Sequence, residues 1–462
     1  MYNEIVSLLE GQSDVIFLEK DINNNKVIFI YLEGFVELSY IEDKIIPRVA
    51  SLDEMDRSDS VGSTEAVESI MRGDVIVIRG DAALKMSGGG YEIRSINEPQ
   101  NEAVVRGPRD GFVESLTTNI SLLRRRYLST DLKIEISTKG ERTKTKLAIA
   151  YIDGIVDEKV LEKVRKRMDS IKIDGVLDSG IVEQWIEDSW YTPFPQVQYT
   201  ERPDKVIASL LEGRIAILVN GTPIVLLVPV VLSMLFQSPG DYYERWIVGS
   251  SIRFVRYSAA LIALILPSLY IALISFHPGL IPTKFAISIA GTRANVPFPS
   301  LLEALMMEFT LEMLREAGLQ LPKVIGQTVG IVGGLVIGEA AVQAGIVSPM
   351  MVIVVALTAV SSFLIPHYNV AISFRLLRFP LMLLAGTVGL LGVILGLLAI
   401  LAHLLTIKSF GINYFSPIAP YRIKDWMDFV VRGPLPLLQN RPEVLHNYDK
   451  KRMDLKQRKK GW

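Results

Sequence analysis

The 462-residue sequence contains no cysteine and only four histidines. The lack of cysteine excludes disulfides, thiol nucleophiles and cysteine-ligated metal sites. The histidines lie far apart, and so they have neither metal-ligand spacing nor a partnered nucleophile that would complete a hydrolase triad. They are His277, His367, His403 and His446. These absences leave a hydrolase site and a metal site without support.

Signals for export and for nucleic-acid binding are also missing. The first residues, Met1–Phe17, have neither the basic flank nor the apolar core of a signal peptide. The net charge is −1, and no basic stripe with interleaved aromatic residues occurs, so no nucleic-acid partner is expected. We therefore expect the N-terminal half to remain in the cytoplasm, with the first apolar helix acting as the insertion signal.

The sequence is rich in apolar residues, which make up 49% of the chain and are segregated from the charged ones. A helix needs about 20 mostly apolar residues to cross a bilayer. Four segments meet this requirement: Tyr257–Phe276, Val324–Gly345, Ile346–Ile365 and Leu381–Ile407. Basic residues before the first segment and in the tail favour the cytoplasmic side. The pattern predicts four spans with both termini inside, although Arg375 and Arg378 then fall outside, against the same rule.

A further uncharged segment, Ile215–Gly240, is interpreted as part of a soluble domain because it belongs to an internal repeat. FIYLEGFVE at 29–37 matches IAYIDGIVD at 149–157, and IMRGDVIVIRGD at 70–81 matches LLEGRIAILVNG at 210–221. The first copy carries Arg79 and Asp81 at its turn, which indicates a strand and turn of a soluble domain. The alternative, on hydropathy alone, is a membrane hairpin in this segment.

The predicted fold class is therefore a soluble α/β N-terminal half with two related subdomains, followed by an all-α polytopic membrane domain. We expect the subdomains at 1–132 and 133–245, the membrane domain at 246–407 and a basic cytoplasmic tail at 408–462. The strands IFIYL and LAIAYI are nearly continuous apolar runs, as in sheets that are covered on both faces.

One predicted helix of the membrane half, Pro297–Leu319, carries periodic acidic residues. Glu308, Glu312 and Glu316 fall within about 80° of one helix face. This density of charge argues against a span, and we expect an interfacial or re-entrant helix. Its acidic face is a candidate vestibule for cations.

The predicted span Val324–Gly345 carries glycine at every fourth position and polar residues along its length. The candidate packing residues are Gly326, Gly330, Gly334 and Gly338, and the candidate residues of a pore wall or gate are Gln327, Val336, Glu339, Val342 and Gln343. Glycines at this spacing let two helix backbones approach closely. An acid within a span usually faces protein or a wet cavity.

Two interpretations of this span stay open. The glycines pack either inside one subunit or against a neighbouring subunit around a pore. In a ring of identical subunits, Glu339 would form a ring of carboxylates that favours cations. At a helix end, the same acid would need no such explanation.

Several sequence blocks resemble the A subunit of GerA-type spore germinant receptors, from about residue 10 to 455. They include VRGPRDGF (105–112), YTERPD (199–204), HPGLIPT (277–283), GIVSPMMVIVVALTAVSSF (345–363) and INYFSPIAPY (412–421). The resemblance implies a non-enzymatic receptor subunit without a cofactor, in the inner membrane of the bacterial spore. It would form a homo-oligomeric, proposed pentameric, channel that releases monovalent cations at the start of germination.

The same resemblance implies membrane lipid, a transporter-like B subunit and a lipoprotein C subunit as partners. Two alternatives remain: a channel subunit of the related SpoVAF type, and a non-conducting membrane scaffold. The family pattern also includes an arginine block: Arg106, Arg109, Arg124, Arg125 and Arg126. These arginines are candidates for an inter-subunit or gating contact, and the alternative is a set of structural ion pairs with Glu98, Glu102, Asp110 and Glu114.

Overall fold

The structure is a computed structural model, and it describes residues 1–23, 25–51, 60–88, 98–99, 101–322, 333–334 and 336–453. The N-terminal half contains two antiparallel sheets, and the C-terminal half is helical.

The first sheet has the strand order β1-β2-β3-β4. Its strands are β1 (Val15–Ile22), β2 (Asn25–Leu32), β3 (Val75–Arg79) and β4 (Ala82–Met86), and the helices beside it are α1 (Tyr2–Leu8), α2 (Leu38–Tyr40), α3 (Ile46–Ala50) and α4 (Ser63–Met71). The four residues Val75–Ile78 are all buried, which explains why β3 reads as a continuous apolar run.

The second sheet has the order β5-β6-β8-β9-β7. Its strands are β5 (Leu132–Lys139), β6 (Thr145–Ile152), β7 (Gln198–Thr200), β8 (Ile215–Val219) and β9 (Val225–Val228), and its helices are α5 (Leu116–Arg126), α6 (Glu158–Asp169), α7 (Ser179–Ile186) and α8 (Pro203–Leu211). Local sequence fixes the helix ends. The Asp157 side chain, for example, accepts a hydrogen bond from the Lys159 amide at 3.0 Å and caps α6.

The internal repeat appears in the structure as matching strand registers. In the first sheet Phe29 pairs with Val77, and in the second Ile149 pairs with Ile217, which are the equivalent positions of the two repeats. The segment that hydropathy alone would place in a membrane hairpin supplies β8 and β9, whose residues are all buried in the sheet. The strand interpretation from the repeat is therefore confirmed for these residues.

The helical half begins directly after two short helices, α9 (Leu232–Leu235) and α10 (Gly240–Tyr243). Its helices are α11 (Trp246–Ser275), α12 (Thr283–Arg293), α13 (Ser300–Gln320), α14 (Pro349–Phe363), α15 (Tyr368–Val388) and α16 (Leu390–Thr406), and residues 336–343 are also helical. Within the part of the chain that the structure describes, α11 and α15 are long and apolar enough to cross a membrane, and α14 and α16 are shorter apolar helices.

The predicted span Leu381–Ile407 differs from the structure, which divides it between two helices. Gly389 lies between α15 and α16 with a φ of +68°, a left-handed conformation that favours glycine. The Gly389 backbone also lies against the side chains of Phe276 and His277, so the turn between α15 and α16 adjoins the C-terminal end of α11. A run of apolar residues gives no sign of such a turn, because both helices are equally apolar.

The tail packs against the N-terminal half. It contains a short hairpin, β10 (Lys408–Ser409) and β11 (Ile412–Asn413), and three 3-10 turns, Ile423–Asp428, Leu435–Leu437 and Glu443–Leu445. Tyr414 is fully buried in the core between the second sheet and the helices. The Asn447 amide donates to the Glu212 carbonyl at 2.7 Å, which attaches the tail to the end of α8.

Candidate functional site: charged residues in the helical half

A buried ion pair joins α13 to α15. Glu308 and Arg378 are both at most 1% exposed and form a direct carboxylate–guanidinium contact. The Arg378 Nε also donates to the Ala263 carbonyl of α11 at 2.9 Å. An unpaired charge is costly in an apolar interior, so each charge of this pair stabilises the other in its buried position.

A second pair continues the same face of α13 one turn further on. Glu312 lies 3.1 Å from Arg375 of α15 and 3.0 Å from Arg315 of its own helix. Arg315 also donates to the Ser362 hydroxyl at 3.3 Å. The third acid of this face, Glu316, is exposed and accepts a hydrogen bond from Gln320. The predicted vestibule face thus contains two ion-paired carboxylates and one exposed one, and its role in ion passage stays a prediction.

A second fully buried acid of α13, Glu303, was not singled out by sequence reasoning. It accepts hydrogen bonds from the backbone amide and the hydroxyl of Ser348, both at 2.5 Å, and it lies 3.4 Å from Arg293. Ser348 in turn caps α14. The carboxylate therefore stabilises the N-terminal end of α14, where a negative charge is favourable.

These contacts establish how α13 is oriented in the bundle. Its first residue, Ser300, contacts Ser275 at the C-terminal end of α11 at 2.5 Å. Its last turns approach Ser362 near the C-terminal end of α14. The acidic helix therefore packs lengthwise along the bundle, antiparallel to α11, which the predicted interfacial position did not anticipate.

The predicted pore helix is described only in part. Gly326, Gln327 and Gly330 lie outside the described residues. Gly338 is buried, and a Cβ added to it would lie 3.7 Å from the side chain of Val352 in α14. A Cβ added to Gly334 would meet nothing within 4 Å. Of the two ladder glycines that the structure describes, Gly338 thus packs against its own chain and Gly334 faces open space.

The polar residues of this segment lie on the outside of the chain. Glu339 and Gln343 are both exposed and hydrogen-bond to each other at 3.1 Å. Val336 is 56% exposed, and Val342 is partly buried. Glu339 lies four residues before 343, the last helical residue of the segment, so it is close to a helix end.

The arginine block is divided between buried and exposed contacts. Arg124 is 1% exposed and forms a two-point ion pair with Asp14, at 2.7 and 2.8 Å, that joins α5 to the first sheet. Arg126 pairs with Asp110 at 2.5 Å, and Arg109 pairs with Glu98 at the surface. The other two members, Arg106 and Arg125, are exposed or only partly buried, and Arg125 lies over the ring of Phe35. A contact between subunits stays a prediction for this block.

The junction between the two halves contains a further charged network that sequence reasoning missed. Arg253, fully buried near the start of α11, lies 2.9 Å from Asp241 and 2.7 Å from Asp428 of the tail. Arg256 also contacts Asp241, at 2.7 Å. In the sequence, these arginines only indicated which end of the first span lies in the cytoplasm. Asp428, the tail acid that completes the network, lies 175 residues away from Arg253.

His367 lies at the same junction and is fully enclosed. Its Nε2 is 2.8 Å from the Gln198 amide nitrogen and 3.3 Å from the Lys205 ammonium. Burial, followed by the positive charges of Lys205 and Arg214, holds the pKa of His367 well below its usual value. A neutral imidazole therefore connects the loop before α15 to the N-terminal half.

Comparison with known proteins identifies the family. Residues 3–444 match the family model described as Bacillus/Clostridium GerA spore germination protein. The chain belongs to the GerA family of spore germination proteins.

Curated relatives agree with this assignment. The membrane protein YfkQ of Bacillus subtilis (strain 168) is 45% identical over 454 residues, which cover 94% of this chain and 88% of YfkQ. Spore germination protein A1 of the same organism is 46% identical over 405 residues, or 87% of this chain and 83% of its own. The crystal structure of the N-terminal domain of the A subunit of the Bacillus megaterium spore germinant receptor GerK3 is 32% identical and covers 50% of this chain and 94% of that one, with a TM-score of 0.39. The resemblance seen in the sequence blocks is confirmed at the level of the family.

Proposed function

We propose that this GerA-family chain is the A-type membrane subunit of a nutrient germinant receptor in the inner membrane of the spore. In this proposal it assembles into a homo-oligomeric, ligand-gated cation channel, together with a transporter-like B subunit and a lipoprotein C subunit. Opening of the channel would release monovalent cations and start germination. The nutrient would bind another subunit, and the task of this chain would be to conduct.

The observation that carries the channel proposal is the exposed polar face of residues 336–343. Glu339 and Gln343 lie on the outside of an apolar helical half. Contact between a carboxylate and lipid tails is costly, so such a face turns toward water or protein. A ring of copies that places this face toward a common axis would meet that demand, and a ring of carboxylates would favour cations.

The ion pairs of α13 support a second part of the proposal, the topology. With Glu308 and Glu312 neutralised by arginines of α15, the charge of α13 no longer argues against a membrane crossing. Five described helices, α11, α13, α14, α15 and α16, would then cross the membrane. Gln320 is the last residue of α13, whereas Ser348 contacts Glu303 in the first turns of the same helix, so the two described residues lie at opposite ends of α13. We propose one more crossing between them, which would make six. Like four crossings, six keep both termini on one side.

Flux measurements in liposomes test the channel. Val336→Ala enlarges the proposed gate and should let K⁺ leave loaded liposomes without nutrient or partner subunits. Glu339→Gln in this background should reduce the flux and its preference for cations over anions. Glu162→Gln is the control, because Glu162 is an exposed acid of α6 in the N-terminal half, outside both the proposed wall and the candidate vestibule. Intact oligomers that carry no current with either Val336→Ala or Val342→Ala would instead indicate a non-conducting scaffold.

A further inference from the structure

Two aromatic side chains of the N-terminal half project outward beside the helices. Trp190 is 90% exposed and Tyr191 is 68% exposed, in the segment between α7 and β7. Their rings pack edge to face, with centroids 6.1 Å apart. Two adjacent large aromatic side chains with this exposure need an explanation, because each exposes a large apolar surface to its surroundings.

The backbone that carries these aromatics is fixed to the end of α16. The Thr192 hydroxyl lies 2.8 Å from Nε2 of His403, in the last turn of that helix. Two residues further on, Phe194 is buried and packs against Phe374 and Tyr414. The outward position of Trp190 and Tyr191 is therefore set by contacts on their C-terminal side.

A stripe of apolar side chains on α16 leads to the same place. At roughly 100° per residue, the exposed members fall within about 120° of one helix face. They are Leu391, Ile394, Leu395, Leu398, Leu401 and Leu405. Tyr191 lies beside His403, with ring centroids 6.3 Å apart, at the end of this stripe. The aromatic pair therefore continues the apolar stripe onto the N-terminal half.

Basic residues lie at the same level of the molecule. Lys408, exposed, follows the last turn of α16. Lys163 of α6 donates to the Phe410 carbonyl at 3.1 Å, and the Arg167 guanidinium lies over the Phe410 ring. An apolar stripe that ends in Trp, Tyr and basic residues is the arrangement found where membrane proteins meet lipid headgroups.

We propose that Trp190 and Tyr191 insert into the headgroup region of the bilayer, on the face of the membrane that carries the N-terminal half. They would anchor this half to lipid and fix its distance from the membrane. The proposal rests on the membrane location of α16, which belongs to the proposed function, and it does not depend on ion conduction.

Tryptophan fluorescence of the full-length chain in lipid nanodiscs tests the anchor. The other tryptophans, Trp185, Trp246, Trp426 and Trp462, are replaced by phenylalanine so that Trp190 is the only emitter. Lipid brominated near the headgroup should reduce Trp190 emission roughly two-fold, more than lipid brominated deep in the tails, because tryptophan prefers the interface. Aqueous iodide should quench it weakly.

The matched control retains Trp185 alone, which is half-exposed in the N-terminal half and donates to the Ser170 hydroxyl at 3.1 Å. It should be quenched by iodide and not by brominated lipid. Strong iodide quenching of Trp190 without lipid quenching would place it in water and overturn the proposal. Protection of Trp190 from both quenchers would overturn it in favour of a contact with another protein chain. Neither result bears on conduction, which the liposome flux measures separately.

Discussion

The buried pair Glu308–Arg378 makes the sharpest prediction about stability. Replacement of Glu308 by glutamine keeps the shape of the side chain but leaves the guanidinium of Arg378 without its carboxylate. Both side chains are at most 1% exposed, so neither is compensated by water. Breaking a buried pair in this way costs about 3–5 kcal/mol.

The converse change, Arg378→Met, leaves Glu308 unpaired and should cost a similar amount. The double variant Glu308→Gln/Arg378→Met removes both charges and should recover most of the loss, because a buried ion pair is worth little more than an uncharged replacement of similar volume. With losses of about 3–5 kcal/mol in each single variant and about 1 kcal/mol in the double variant, the expected coupling free energy is on the order of 5–9 kcal/mol, because each single loss is mainly the cost of an unpaired buried charge.

Thermal unfolding of the four chains in nanodiscs measures this cycle. At about 2–4 °C per kcal/mol, each single variant should lose on the order of 10 °C in Tm, and the double variant only a few degrees. Glu316→Gln is the control for loss of an exposed acid on the same helix, and it should shift the free energy of unfolding by less than about 0.5 kcal/mol. Strictly additive losses in the double variant would refute the argument that the two charges stabilise each other.

Three further predictions use other parts of the molecule. Because the chain has no cysteine, single introduced cysteines report topology. In intact cells, the six-crossing arrangement places the thiol of Gln320→Cys inside and the thiol of Ile346→Cys outside. An impermeant thiol reagent that labels the first variant but not the second would restore the four-span arrangement. Gly334→Leu should leave the single chain folded, since a Cβ added at Gly334 meets no described atom within 4 Å. It should reduce oligomer abundance in native gels if neighbouring copies pack there, and an unchanged oligomer would place the contact elsewhere. Burial, followed by the charges of Glu187 and Asp178, raises the pKa of Glu183 to about 7. The favourable contribution of Glu183 to the free energy of unfolding is therefore complete below pH 4.5 and is lost as the pH rises through 7, so Glu183→Gln should match the parent chain at pH 4.5 and exceed its stability by on the order of 1–2 kcal/mol at pH 8. An equal gain at both pH values would assign the effect to packing.

The strands of the N-terminal half could be predicted because their signal is local and occurs twice. The pairing of Phe29 with Val77 has its counterpart in Ile149 with Ile217, and the repeated sequence by itself indicates strands at all four positions. The same repeat separated β8 from a membrane segment, which hydropathy alone could not do. Two equivalent copies carry more information than the hydropathy of either copy.

The helical half was harder to predict because its decisive contacts join distant residues. A count of charges along α13 treats Glu308 as an isolated acid, whereas its partner lies 70 residues further along the chain. The same separation made Arg375 and Arg378 look like misplaced loop residues. Considered by itself, each charge of the pair argues against a helix that packs inside the helical half. The ion pair between them explains why Glu308 and Arg378 can both lie inside the helical half.

This reasoning extends to Glu339, one of the exposed acids of the helical half. Glu303, Glu308 and Glu312 each pair with an arginine from another helix of the helical half. Arg293 lies in α12, and Arg378 and Arg375 lie in α15. Glu339 has only Gln343 of its own helix, on a face that the rest of the described chain leaves uncovered. If the rule that compensates acids inside this bundle also applies at its surface, the missing partner is water or a neighbouring copy. A pore shared between subunits would supply either one, and Glu339 is the first position to change in a test of conduction because it lies in the predicted pore segment, whereas Glu316 lies on α13.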